Sequence, residues 1–174
     1  MLLSLTLALL LSVALGVSVA NATHSDGEGS DKDFARGTGS TQLGFQPLGS
    51  PDLTIVDVKI HENATSGPMG EDPQGRFYFR AETSDGEVVD VMGEVTCLNV
   101  VGNRAGIGGM ITKANPVLGG GNGVLITVED NGEPGTGLDE VGVIPTQTPP
   151  TVLCPPNVTA PVTQGNYVVH DATP

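Results

Sequence analysis

The sequence is poor in aromatic side chains: it has no tryptophan, two tyrosines and four phenylalanines. Pockets for sugars or apolar ligands usually depend on aromatic rings for contact area. The residues expected to point inward are small aliphatics, so we predict an interior filled by the protein's own side chains. A small-ligand-binding β-barrel is kept as an alternative, and it would need an open interior of more than about 300 Å³.

Basic residues are also few, with 7 Lys and Arg against 20 Asp and Glu, and the formal net charge is −13 at pH 7. A field of this sign repels nucleic acid and anionic lipid surfaces and keeps an exported protein soluble. Nucleic acid is therefore excluded as a partner. The expected partner is an unidentified protein or a component of the cell surface.

Motifs for catalysis and for transition-metal binding are missing. The three histidines, His24, His61 and His170, stand in no His-x-x-His or His-Glu-x-x-His arrangement, and there is no Gly-x-Ser-x-Gly elbow. The runs GIGG and GGGNG lack the Lys and the following helix of a phosphate-binding loop. We therefore predict a protein that is not an enzyme and needs no cofactor, with calcium as the one ion to consider.

The first residues, MLLSLTLALLLSVALGVSVANATHSDG, have the layout of a secretory signal peptide. Leu2 to Val19 carries no charge, and Ala20-Asn21-Ala22 has the small residues of a cleavage site. We predict a signal peptide over residues 1–22, cleavage between Ala22 and Thr23, and a secreted mature chain. The alternative is a retained membrane anchor, because an apolar run of this length can just span a bilayer. No later segment is apolar enough to span a membrane.

Two regions follow the signal. Residues 23–41 are polar, acidic and rich in glycine, which predicts a flexible arm. Residues 42–174 contain short Val-, Ile- and Thr-rich runs separated by Gly, Asn, Asp and Pro, without a long 3.6-residue apolar period. We predict a single all-β domain here, an antiparallel meander of seven or eight strands that closes as a small barrel. A two-sheet sandwich is the alternative.

The segment GEVTCLNVVGNRAGIGGMITK, Gly93 to Lys113, predicts a core hairpin that turns at Gly102-Asn103. The apolar alternation changes parity between Cys97 and Leu98, which indicates a β-bulge or a strand covered on both faces. Glycines within a strand serve either a sharp bend of a closing sheet or the close approach of another backbone. The glycines in question are Gly106, Gly108 and Gly109.

Cys97 and Cys154 are the only cysteines. An even pair in an exported chain is most simply a disulfide, which would tie the hairpin to the C-terminal segment. The chain-entropy model gives such a bond a contribution of about 4 kcal/mol to the free energy of unfolding. The alternative is two unpaired buried thiols.

The segment EDNGEPGTGLDE concentrates carboxylates in a glycine-bearing loop. Hard oxygen ligands at short spacing can hold Ca²⁺, although this spacing is not that of an EF-hand. The alternative is an acidic hairpin loop with solvated charges, in which Asp130-Asn131-Gly132 supplies the turn. The candidate calcium ligands are Asp130, Asn131, Glu133, Asp139 and Glu140. A calcium-stabilised adhesion-type module is therefore an alternative function.

Three motifs occur in order along the chain: GEVTCLNVVGNRAGIGG, VEDNGEPG and GNYVVHDA. In order and spacing they resemble a group of small secreted all-β domains of bacteria, in particular of actinobacteria and their relatives. The resemblance covers about Asp52 to Ala172 and implies an exported bacterial β domain. Its motifs are glycine turns and strand residues, so it supplies no functional residues. The expected function is a structural or interaction role at or outside the cell surface, without catalysis.

Overall fold

The computed structural model describes residues 31–43, 54–114, 121–132 and 138–172. The predicted signal peptide lies outside these residues. Within them the chain forms nine strands: β1 (Asp33–Thr41), β2 (Ile55–Ser66), β3 (Gln74–Thr83), β4 (Val88–Val101), β5 (Arg104–Ala114), β6 (Gly123–Glu129), β7 (Glu140–Thr146), β8 (Ala160–Pro161) and β9 (Gln164–His170). This part of the chain contains no helix that could cross a membrane.

All nine strands belong to one antiparallel sheet in the order β8-β7-β6-β5-β4-β3-β2-β1-β9. Strands β1 to β8 follow one another as a meander, and β9 returns to pair with β1. The sheet curls into a half-barrel, so that its two ends approach each other. The predicted all-β meander is confirmed, with nine strands instead of the expected seven or eight. The alternative, a two-sheet sandwich, is not needed to describe this single sheet.

Strand β1 corrects the predicted start of the domain. The expectation of a flexible arm over residues 23–41 is wrong for residues 33–41, which pair with β2 on one side and β9 on the other. Its glycines suggested flexibility, but they make room for a core side chain. A Cβ on Gly39 would lie 2.7 Å from a ring atom of Tyr167. The domain therefore includes residues 33–41, which the composition predicted to be part of the arm.

The core lies on the inner side of the curled sheet, where one face of each long strand contributes to a single apolar cluster. In the sequence RFYFR, Phe77 and Phe79 alternate with polar side chains, which predicts that both face the core. Both are buried there, and so are Val124, Ile126 and Val128. Side chains from strands β1 to β7 and from β9 meet in this cluster. These side chains pack against one another inside the curl.

A β-bulge explains the parity change in β4. The pairing of β4 with β5 shifts register between Val95 and Cys97, so Thr96 is the extra residue. As a result Val95 and Leu98 both face the core. Cys97 instead belongs to a second buried cluster on the outer face. The strand is therefore bulged and also covered on both faces.

Residues 147–159, which we call the strap, cross the outer face of β5, β6 and β7. A Cβ on Gly106 or Gly108 would collide with the strap backbone at Cys154 or Pro150; for Gly108 the distance to the Pro150 carbonyl oxygen would be 2.9 Å. These two strand glycines therefore allow another backbone to approach closely.

The strap is fixed to the sheet at both halves. Cys154 forms a disulfide with Cys97, with the two Cα atoms 6.3 Å apart. Further along, Arg104 Nη2 donates a 2.8 Å hydrogen bond to the carbonyl oxygen of Asn157, whose N–H donates to Thr127 Oγ1 at 2.9 Å. The predicted cysteine pairing is thus present, and it is compatible with an extracellular protein.

Candidate functional site

The structure brings part of the acidic loop together next to β9. Asp139, just before β7, accepts hydrogen bonds from two backbone N–H groups: Oδ1 from Asn131 at 3.0 Å and Oδ2 from Tyr167 at 2.7 Å. Asp130, just after β6, accepts at Oδ1 from the N–H of Gly132 at 2.9 Å and at Oδ2 from that of Val169 at 3.1 Å. All four carboxylate oxygens are therefore hydrogen-bond acceptors.

These bonds connect the two ends of the curled sheet. The N–H groups of Tyr167 and Val169 lie on the edge of β9 that faces away from β1, where no further strand pairs with it. Backbone donors on such an edge need partners if they are shielded from water. Asp139 and Asp130 supply them, and we call this contact the carboxylate seam.

The other predicted calcium ligands are less closely grouped. The side-chain amide of Asn131 donates to the carbonyl oxygen of Leu138 at 2.9 Å, and Glu140 Oε2 accepts a hydrogen bond from the Thr159 hydroxyl group. Glu133 lies outside the described residues. Within the described part of the chain, no three His, Cys, Asp or Glu side chains are grouped so that they could hold a metal ion. Calcium binding at this loop stays a prediction.

Glu62 is a buried acid that the sequence analysis missed. Its side chain is 0 % exposed, and neither carboxyl oxygen has a hydrogen-bond partner among the described residues. Burial raises its pKa well above the usual value, which favours the neutral form of the carboxyl group. Glu62 shares the alternation of Val58 and Ile60, which are core residues. That parity was the signal that could have placed it inside.

A groove of about 900 Å³ opens on the outer face of β2, β3, β4 and β5, on the part of the sheet that the strap leaves uncovered. We call it the outer groove. Its polar and sulfur-containing lining side chains are His61, Asn63, Thr65, Gln74, Arg76, Tyr78, Met92, Glu94, Thr112 and Lys113.

The strand register sets the order of these side chains across the sheet. One row contains Thr38, His61, Tyr78, Met92 and Lys113, and the adjacent row contains Arg36, Asn63, Arg76 and Glu94. Neighbouring strands are about 4.8 Å apart, so the five-residue row extends over about 19 Å. The groove therefore crosses the strands and presents side chains, while the backbone beneath it is already paired within the sheet.

Tyr78 lies in the middle of the groove and is held from one side. Its hydroxyl group donates a 2.6 Å hydrogen bond to Asp90 Oδ1, and the same oxygen lies 3.6 Å from Arg80 Nη1. The hydrogen bond to Asp90 raises the pKa of Tyr78. The phenol is therefore a protonated donor with a fixed ring, suited to contact rather than to proton abstraction.

Local alternation in the sequence predicts that His61, Arg76 and Tyr78 point outward, opposite the apolar residues of β2 and β3. It does not predict that they share one groove. That placement depends on the register between strands. By contrast, the candidate calcium ligands follow from their local spacing, and the disulfide follows from the number of cysteines.

Comparisons of this chain with protein-family models, with curated proteins and with solved structures found no match.

Proposed function

We propose that the protein is a secreted, non-catalytic β domain that acts at or outside the cell surface by binding a partner in the outer groove. The observation that carries this proposal is the groove itself. It is a depression of about 900 Å³, with many polar lining side chains, on the part of the outer face that the strap does not cover. Pockets of this size are typical of ligand sites.

Export is supported by the signal-like leader and by the cysteine pair, since disulfides persist in oxidising compartments. Mass spectrometry of protein recovered from the medium tests it directly. We expect the mature chain to begin at Thr23, and a chain that still carries residues 1–22 would contradict secretion by cleavage.

A binding role rather than catalysis is supported by Tyr78 and Glu62, two groups whose pKa values are raised. Tyr78 in the groove has a raised pKa because it donates to Asp90, so it is a poor base at neutral pH. Glu62 is fully buried, so a substrate in the groove does not reach it.

A retention experiment tests the proposal. Labelled protein is incubated with washed cells of the source organism, and the bound fraction is measured for wild type, Tyr78→Ala/Met92→Ala and Leu153→Ala. The double variant removes the central side chains of the groove, whereas Leu153 is exposed on the strap. We expect retention of wild type and Leu153→Ala and loss in the double variant. Equal retention of all three, or of none, would contradict binding through the groove.

A further inference from the structure

We infer that the ligand of the outer groove is an acidic oligosaccharide, a polyhydroxyl chain that carries carboxylate groups. This inference rests on the proposed function and specifies its ligand class. The few basic residues of this acidic chain are concentrated on one face.

Five of the 7 Lys and Arg residues lie on the outer face of β1 to β5. Besides the two rows of the groove, a third row contains Ser40, Lys59, Arg80 and Asp90. Across the three rows the basic residues are Arg36, Lys59, Arg76, Arg80 and Lys113, and the acidic residues are Asp90 and Glu94. One row further, Asp57 and Glu82 face each other and mark the end of this positive area.

Most of these cations are not neutralised by a neighbour. Arg80 forms an ion pair with Asp90, and Arg36 lies over the Phe34 ring, 4.5 Å from its centroid. Glu94 faces Arg76 across the strands without forming an ion pair. Among the described residues, no carboxylate forms an ion pair with the remaining basic side chains of this face, which are Lys59, Arg76 and Lys113.

In a protein with a net charge of −13, a face of this sign attracts anionic ligands that the rest of the surface repels. Arg76 and Lys113 lie in adjacent rows of the groove and can donate to separate carboxylates. The positive face therefore indicates an anion with charges spaced along its length.

The remaining lining favours a saccharide over a peptide. The strands beneath the groove use their backbone groups in the sheet, so a peptide cannot bind there by adding a strand. Asn63, Gln74 and Thr112 offer side-chain donors and acceptors, which match hydroxyl groups that are both donor and acceptor. Among the described lining residues Phe77 and Tyr78 carry phenyl rings, and Phe77 is buried in the core, so charge rather than ring stacking has to provide most of the affinity.

Isothermal titration calorimetry of the full mature protein tests the inference. The probes are oligogalacturonate and oligomannuronate, each with a neutral oligosaccharide of equal length, and poly-L-glutamate as the acidic peptide. Losing one hydrogen-bonded charge contact weakens binding by about tenfold. We expect this loss in Arg76→Gln, a larger loss in Arg76→Gln/Lys113→Gln, and unchanged affinity in Arg104→Gln, whose cation lies beneath the strap.

Each outcome is decisive. Tight binding of an acidic oligosaccharide that weakens with added salt supports the inference, because salt screens exposed charges. Equal affinity for the neutral oligosaccharides, equal affinity for poly-L-glutamate, or no binding of either acidic probe overturns it. If cell retention still depends on Tyr78 and Met92 in that case, the groove remains a binding site and only its ligand class is wrong.

Discussion

At the scale of single residues, Leu153 is held in a conformation that leucine disfavours. Its φ is 53°, in the left-handed region, while its side chain is 88 % exposed on the strap. The disulfide at the next residue, Cys154, fixes the backbone at this point. The path of the strap thus imposes this conformation. Burial of the side chain does not offset its free-energy cost.

Asparagine accepts the left-handed region more readily than leucine does, since its short polar side chain bonds locally. We therefore expect Leu153→Asn to raise the free energy of unfolding by about 1 kcal/mol. Urea denaturation measures the change. Val152→Asn is the matched control, because Val152 is also exposed but has no positive φ, and it should give no such gain. An equal effect of both substitutions would show that backbone strain at Leu153 is not the cause.

Glu62 makes stability depend on pH. The folded state raises the pKa of Glu62 above its value of 4.5 in a model peptide, so the folded protein binds this proton more tightly than the unfolded chain does. The free energy of unfolding must then fall as pH rises from about 4.5 towards the raised pKa, by at most about 1.4 kcal/mol per pH unit.

Glu62→Gln removes the titrating group and should remove this part of the slope. Urea denaturation of both proteins between pH 4 and pH 8 measures the difference, and the difference isolates Glu62 because all other acidic groups are shared. A wild-type slope that the substitution leaves unchanged would mean that Glu62 is not the buried proton acceptor.

At the scale of elements, the carboxylate seam holds β9 against the end of the β6–β7 connection. In Asp139→Asn one of the two acceptor oxygens becomes an amide N–H₂ group that faces a backbone donor. We expect the free energy of unfolding to fall by about 1–3 kcal/mol, the usual cost of an unpaired buried polar group. Glu87→Gln removes the same charge from an exposed position and should change stability little. Similar losses in both would show that the lost acceptor at Asp139 is not the cause.

The same variant distinguishes the seam from a calcium site. If the oxygens of Asp139 and Asp130 serve backbone donors, the melting temperature of wild type should be the same in calcium and in chelator. A ligand that binds only the folded state must raise the midpoint. A calcium-dependent rise that disappears in Asp139→Asn would therefore identify the acidic loop as a calcium site.

The elements that the sequence predicted well are those determined by local alternation. Phe77 and Phe79 reveal β3 without knowledge of its neighbours. The alternation in LTIVDVKI predicts that Val56, Val58 and Ile60 face inward. This is wrong for Val56, which is exposed because the pairing of β2 with β3 shifts register between Ile55 and Asp57. Strand β1 was missed because its glycines fit the Tyr167 ring, which lies far along the chain. Contacts between distant segments decide such cases, and a local pattern does not contain them.

At the scale of the whole molecule, composition predicted the amount of charge but not its distribution. The sum of −13 led to the prediction that nucleic acid is not a partner. The positive face appears only when Arg76 of β3, Lys113 of β5 and Lys59 of β2 are brought together by strand pairing. The candidate site could therefore not be predicted from the sequence, although the outward side of His61, Arg76 and Tyr78 could.

The disulfide between Cys97 and Cys154 links the β4–β5 hairpin to the strap over a sequence separation of 57 residues. Closing a loop of this length lowers the entropy of the unfolded chain, which contributes about 4 kcal/mol to the free energy of unfolding. We expect Cys97→Ala/Cys154→Ala to lose about this amount in urea denaturation, with the oxidised wild type as reference and the reduced wild type as control.

Because the strap covers β5 to β7 and not the outer groove, ligand affinity of the folded variant should be unchanged. If the variant loses ligand affinity in the absence of urea, at a temperature where it is fully folded, the strap also shapes the groove.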